Sequence, residues 1–137
     1  MAQPQSGRRP IQILYVDDED DLRLVVQRVL SREPDFVVKE LNSGIALLEL
    51  LADPECKPDL ILLDVIMPGM DGLETARRVR VIDSKLPIIF FTANGELTDK
   101  WPADDGAILG TLNKPFHFRT LAQDIRRMFD GESLESE

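Results

Sequence analysis

"PDLILLDVIMPGMDGLE", residues 58–74, carries the clearest structural signal in the chain. Residues 59–65 within it, DLILLDV, are apolar on both sides of a two-residue period until Asp64 interrupts them. A strand without a polar face must be covered on both sides, which suits the middle of a parallel sheet with helices above and below. "MPGMDG" then breaks the pattern, and Leu73, Ala76 and Val79 recur at helical spacing. The stretch reads as a buried strand, a turn and a helix, with a single carboxylate near the strand's carboxyl end.

The same alternation extends in both directions. "IQILYV" (11–16) is strand-like, and Leu22, Val25, Val26, Val29 and Leu30 then line one helical face. "DFVVKEL" (35–41) returns to strand character, and Ile45, Leu48 and Leu51 follow at helical spacing until Asp53-Pro54 stops them. "LPIIFFT" (86–92) is a fourth strand candidate. Residues 93–106 hold two glycines and a proline, so any helix there should be short or irregular. "AILGTL" (107–112) is a fifth strand, weakened by Gly110. Leu121, Ile125, Met128 and Phe129 stripe a last helix that ends near Asp130-Gly131. Five strands alternating with about five helices predict an α/β fold with a parallel, doubly wound sheet, because right-handed crossovers place helices on both faces. A single domain is expected over 11–130, with tails at 1–10 and 131–137.

Composition narrows the function. With 137 residues the chain has the size of one core, and 43% hydrophobic with 30% charged residues is a globular balance. A net charge of −9 opposes a phosphate backbone, whose binding is driven by Lys and Arg releasing counterions. No direct nucleic-acid partner is expected. Arg77, Arg78 and Arg80, like Arg126 and Arg127, read as solvated helix faces. The longest apolar run, "LILLDVIM", is too short to span a bilayer, and "MAQPQSGRRP" does not read as a signal peptide, so membrane insertion is not expected and the cytoplasm is the expected location. Cys56, the single cysteine, is expected to be a packing or surface thiol.

In open α/β sheets, ligands bind beyond the carboxyl ends of the strands, where strand order reverses. The polar residues at those ends are Asp17-Asp18, Asp64, Thr92 and Lys114-Pro115. Carboxylates clustered in a partly dry cleft must take up protons or bind a cation. Hard oxygen ligands point to magnesium or a similar ion. An aspartate beside such an ion and a lysine can attack phosphorus, while both cations neutralise the charge on the equatorial oxygens. Glu19, Asp20 and Asp21 read instead as the start of the next helix, where carboxylates meet the positive end of its dipole.

"ILYVDDED", "PDLILLDVIMPGMDGLE", "PIIFFTAN" and "NKPF", in this order and spacing, resemble the receiver domain of two-component response regulators over residues 11–130. The resemblance implies a flavodoxin-like (βα)5 fold with strand order 2-1-3-4-5. It implies that Asp64 is the phosphoacceptor and that Asp17 and Asp18 hold Mg2+, with Asp18 favoured as the direct ligand and the backbone carbonyl of Ile66 as a further one. Thr92 resembles the switch hydroxyl, with the Ala93 amide nearby. Lys114 resembles the lysine that pairs with the phosphoryl group, and its bond to Pro115 is expected to be cis. The implied partner is a sensor histidine kinase or a histidine phosphotransfer protein, with an unknown downstream protein. His117, the only histidine, is expected to have a structural or solvent role, so the donor histidine comes from the partner. The implied protein is a monomer or a phosphorylation-dependent dimer, and not an enzyme beyond accepting and slowly losing its own phosphoryl group.

Two positions depart from the family pattern. Thr111 stands where many members carry an aromatic switch residue, which leaves Trp101 or a backbone shift of its segment to carry the output; Trp101 itself reads equally as a partner-facing anchor or a packing residue. Ile66 and Asn94 stand at the positions that flank the path of the hydrolytic water in this family, and an apolar Ile66 there implies a long-lived phosphoryl group. Three other readings compete. The chain could be the receiver part of a hybrid kinase or longer regulator. A magnesium-dependent aspartyl phosphatase would need a second carboxylate where Ile66 stands. A flavodoxin-like cofactor binder is opposed by five consecutive acids, Asp17 to Asp21, where a flavin phosphate would sit.

Overall fold

The computed structural model describes residues 9–93, 99, 101, 102 and 104–131. Five strands form one parallel sheet in the order β2-β1-β3-β4-β5. They are β1 (Ile11–Val16), β2 (Phe36–Leu41), β3 (Leu60–Asp64), β4 (Ile88–Thr92) and β5 (Ile108–Asn113). Four helices are present among the described residues: α1 (Asp20–Leu30), α2 (Gly44–Leu51), α3 (Gly72–Ile82) and α4 (Leu121–Phe129). This is the doubly wound parallel sheet expected from the alternation, in the flavodoxin-like order that the resemblance implied. Most of the segment for which a short or irregular helix was expected, 94–98 with residues 100 and 103, lies outside the described residues.

The reading of 59–65 as a strand covered on both faces holds, because every residue of β3 is buried, as is every residue of its neighbour β4. Alternate side chains go to opposite faces. Tyr15, Leu60, Leu62 and Phe91 meet Val26 and Leu30 of α1 and Leu121, Ile125 and Met128 of α4. On the other face, Ile61, Leu63 and Phe90 meet Leu47 of α2 and Leu73, Ala76 and Val79 of α3. Each fully buried Leu or Ile contributes about 1.5–3 kcal/mol from removal of its surface from water, so the two central strands anchor both layers.

Two glycines are required by close approach. A Cβ on Gly72 would lie 2.1 Å from the Asp64 carbonyl oxygen, and the Gly72 N–H donates to the Val65 carbonyl at 2.8 Å. Helix α3 can therefore begin directly against the end of β3, capped by Asp71, whose Oδ1 accepts the Glu74 N–H at 2.9 Å. Gly110 weakens β5 as expected without breaking it: the register with β4 jumps from Ile88↔Ile108 to Ile89↔Gly110, and a Cβ there would meet the Met128 Cε at 2.5 Å.

The arginine clusters divide, which corrects the reading of them as solvated faces. Arg77 and Arg78 are exposed and bridge to Glu74. Arg80, with only 14% of its side chain exposed, donates to Asp105 at 2.7 Å and to the Leu86 carbonyl at 2.8 Å. Arg126 bonds Asp35 at 2.8 Å and covers the Phe36 ring. Their partners lie far away in sequence, where helical spacing cannot reveal them. Trp101 takes the packing role: it meets Phe90 edge to face and donates from Nε1 to Asp105 at 3.0 Å. Cys56 is half-buried just before β3, and His117 is exposed. No helix among the described residues is long and apolar enough to cross a membrane.

Candidate functional site

All strands point the same way, so their carboxyl ends gather the polar residues along one edge. Asp17 and Asp18 follow β1, Asp64 ends β3, Thr92 ends β4, and Lys114 follows β5. Asp17, Asp18 and Asp64 each place a carboxylate oxygen within 4.8 Å of the other two. Asp17 and Asp64 are buried, whereas Asp18 is partly accessible. Lys114 reaches across, with Nζ 2.9 Å from Asp17 Oδ2, 3.3 Å from Asp64 Oδ2 and 3.4 Å from Glu19 Oε1. A cleft of about 280 Å³ opens over this group, lined by Asp18, Glu19, Asp64, Ile66, Ala93 and Lys114.

Thr92 is fully buried and does not line the cleft, while its neighbour Ala93 does. The Thr92 carbonyl accepts the Lys114 N–H at 2.9 Å, which ties the ends of β4 and β5 together. The Lys114-Pro115 bond is cis, as the resemblance implied. Ile66 is 53% exposed at the rim, and its amide donates to the Asp64 carboxylate. Asn94 lies outside the described residues. Glu19 occupies the N-cap position of α1 without a side-chain cap bond, and Asp20 and Asp21 lie in the first turn, as a helix start requires.

Two residues at this edge went unnoticed in the sequence, and a third was read only as a helix start. The Tyr15 hydroxyl donates to Asp17 Oδ2 at 2.8 Å. The available signal was the two-residue period of β1, which sends Tyr15 and Asp17 to the same side. Arg23 donates from Nη1 to the Asp17 carbonyl at 2.8 Å and also bonds Asp20 and Glu40, so α1 clamps the backbone of the acidic loop. Glu19 is the third: besides starting the helix it faces Lys114.

The electrostatics follow from crowding. Burial, and then the charge of Asp17, push the Asp64 carboxyl up to about 7, with Lys114 and the Ile66 amide pulling the other way. Burial works against the Lys114 ammonium, but its bond to Asp17 and the charges of Asp17 and Asp64 outweigh that and move it upward. Burial raises the Tyr15 phenol, and Asp17 adds to the effect, so it stays protonated and donating. One ammonium against three carboxylates leaves negative charge uncompensated. The donor set is all oxygen, matching magnesium, which binds through one or two carboxylates and retains waters. These residues fit such an ion.

Comparison with known proteins agrees with the geometry. The family model of the response regulator receiver domain matches residues 13–126. The chain belongs to the response regulator receiver family. Sporulation initiation phosphotransferase F of Bacillus subtilis is 31% identical over 115 residues, covering 84% of this receiver and 90% of that protein. Response regulator MprA of Mycobacterium ulcerans is 32% identical over 127 residues, but those residues are only 53% of its length. The receiver thus spans about half of that relative. The crystal structure of the signal receiver domain of an HD domain-containing protein from Pseudomonas fluorescens Pf-5 matches with a TM-score of 0.76 and 26% identity, covering 90% of this chain and 96% of that one.

Proposed function

We propose that this receiver accepts a phosphoryl group on Asp64 from a histidine of a sensor kinase or phosphotransfer protein and thereby changes its affinity for a downstream protein. The reading is carried by one observation: three carboxylate oxygens converge within 4.8 Å at the mouth of a cleft, with an ammonium 3.3 Å from the one on Asp64. Asp17, Asp18, Asp64 and the Ile66 carbonyl would hold Mg2+. Bound there, the ion neutralises charge on the phosphoryl oxygens.

The remaining work belongs to the chain. An Asp64 carboxylate oxygen forms the new bond to phosphorus as the phosphorus–nitrogen bond to the donor imidazole breaks, and the imidazole leaves with the bonding pair. Lys114 offers its ammonium to a phosphoryl oxygen, the Ala93 amide at the cleft supplies a neutral donor, and the Thr92 hydroxyl, buried behind it before phosphorylation, moves toward the group to supply another. Ile66 at the rim offers no side-chain hydrogen bond to a hydrolytic water, so the acyl phosphate persists. The chain acts as an acceptor rather than as an enzyme, in the cytoplasm, as a monomer or a phosphorylation-dependent dimer. Its span of about half of MprA and nearly all of phosphotransferase F leaves two settings, a part of a longer regulator and a stand-alone receiver.

Incubation with acetyl phosphate and magnesium, followed by intact-mass measurement, tests the proposal. Wild type should gain one phosphoryl mass with release of acetate, and Asp64→Asn should gain none. Equal gain by both, or no gain by wild type, would overturn it.

A further inference from the structure

We infer that Tyr15 is a positioning residue for the cation site: its buried hydroxyl fixes the Asp17 carboxylate in the orientation that faces the ion. The inference rests on the reading of the cleft as a magnesium site and adds a residue to it.

Tyr15 is fully buried in the apolar layer between the sheet, α1 and α4. A buried phenol hydroxyl must find a partner, and here the partner is Asp17 Oδ2 at 2.8 Å. The ring is held by the core: Phe91 meets it edge to face at 5.6 Å, and Phe91 in turn stacks on Phe116 at 5.4 Å. The hydroxyl therefore sits where packing puts it.

Asp17 receives three side-chain hydrogen bonds, and they differ in permanence. The Glu19 N–H donates to Oδ1 at 3.0 Å. Oδ2 accepts both the Tyr15 hydroxyl and the Lys114 ammonium. Lys114 ends a flexible stem and is shared with Asp64 and Glu19, so engaging a phosphoryl group on Asp64 draws it away from Asp17. The Tyr15 hydroxyl then remains as the fixed donor on Oδ2. Donors behind a metal-ligating carboxylate orient it, and losing one costs on the order of 10- to 100-fold in metal affinity. Tyr15→Phe keeps the ring and removes only this bond.

The test compares the 137-residue wild type and its Tyr15→Phe variant. Calorimetric titration with MgCl2 should show binding about 10-fold weaker in the variant. Phosphoryl acceptance from acetyl phosphate should fall at low magnesium and return to the wild-type rate at saturating magnesium. Tyr15 is the only tyrosine in the chain, so one 13Cζ resonance reports its hydroxyl; in wild type it should move on adding magnesium, with the calorimetric midpoint. That measurement needs no variant and holds should Tyr15→Phe fold poorly. Equal magnesium affinity in the two proteins, a rate defect that persists at saturating magnesium, or an unresponsive resonance would each overturn the inference while leaving the magnesium reading intact. Failure of wild type to bind magnesium would overturn both.

Discussion

At Asp64 protonation is coupled to stability, and through the proposed magnesium site to metal binding as well. Its carboxyl is raised from an ordinary 3.8 to about 7 in the folded protein. Between those values the folded state holds a proton that the unfolded state has lost, so stability declines as pH rises through this window and levels off above it. In chelator, the unfolding free energy should fall from about pH 4 to about pH 7, and Asp64→Asn should remove most of that slope. At about pH 8 without magnesium the variant should be the more stable protein, by on the order of 2 kcal/mol, measured by urea unfolding. Magnesium should reverse the order, because the ion binds and so stabilises native wild type more than the variant, which has lost one of its ligands. Ile66 gives a second prediction at this scale. Exposed beside Asp64 and without a polar side-chain group, it offers no hydrogen bond to a water at the cleft. Ile66→Asn should speed loss of the phosphoryl group by about 10-fold, less than the roughly 100-fold or more of a full general acid or base because an amide only orients the water. An unchanged decay rate by mass measurement would remove Ile66 from the account. The acidic run at 17–21 was legible because like charges need a reason to be adjacent; Tyr15 was not, because an aromatic in an apolar strand looks like core until its hydroxyl is seen to have a partner.

Among the elements, the junction of β3 and α3 decides where Asp64 stands. Helix α3 starts so close to the strand end that Gly72 has backbone on the side a methyl group would need, with the Asp64 oxygen at 2.1 Å and the Val65 Cα at 2.6 Å. No side chain can yield there. Gly72→Ala should therefore cost more than about 3 kcal/mol, as overpacking against rigid surroundings does, and denaturant unfolding would show it; a loss below about 1 kcal/mol would mean that the junction relaxes easily. The elements themselves were largely readable, since strand and helix differ in period and each of the five strands falls within one residue or two of its expected span. Arg80 and Asp105 were not readable. Their contact, together with the Trp101 bond to the same carboxylate, ties α3 to the segment before β5 across 25 residues of sequence, and local periodicity carries no information at that range.

At the scale of the molecule, the parallel sheet gives the protein two unlike edges. Every group assigned to chemistry lies at the carboxyl ends of the strands, a placement that topology fixes and that needed only the strand order to foresee. Cys56 lies near the other edge, before β3 begins, packed against the layer of α2 and α3. It is the sole thiol, held above its ordinary value by burial and by Asp53, so it reacts reluctantly at neutral pH and more readily in mild alkali. Coupled to a solid support through this atom, every molecule in the layer would hang in the same direction, acidic cleft outward and free to meet a phosphate donor. Such a surface should accept phosphoryl groups from acetyl phosphate as fast as protein in solution, and a slowed reaction would show that the two edges communicate after all.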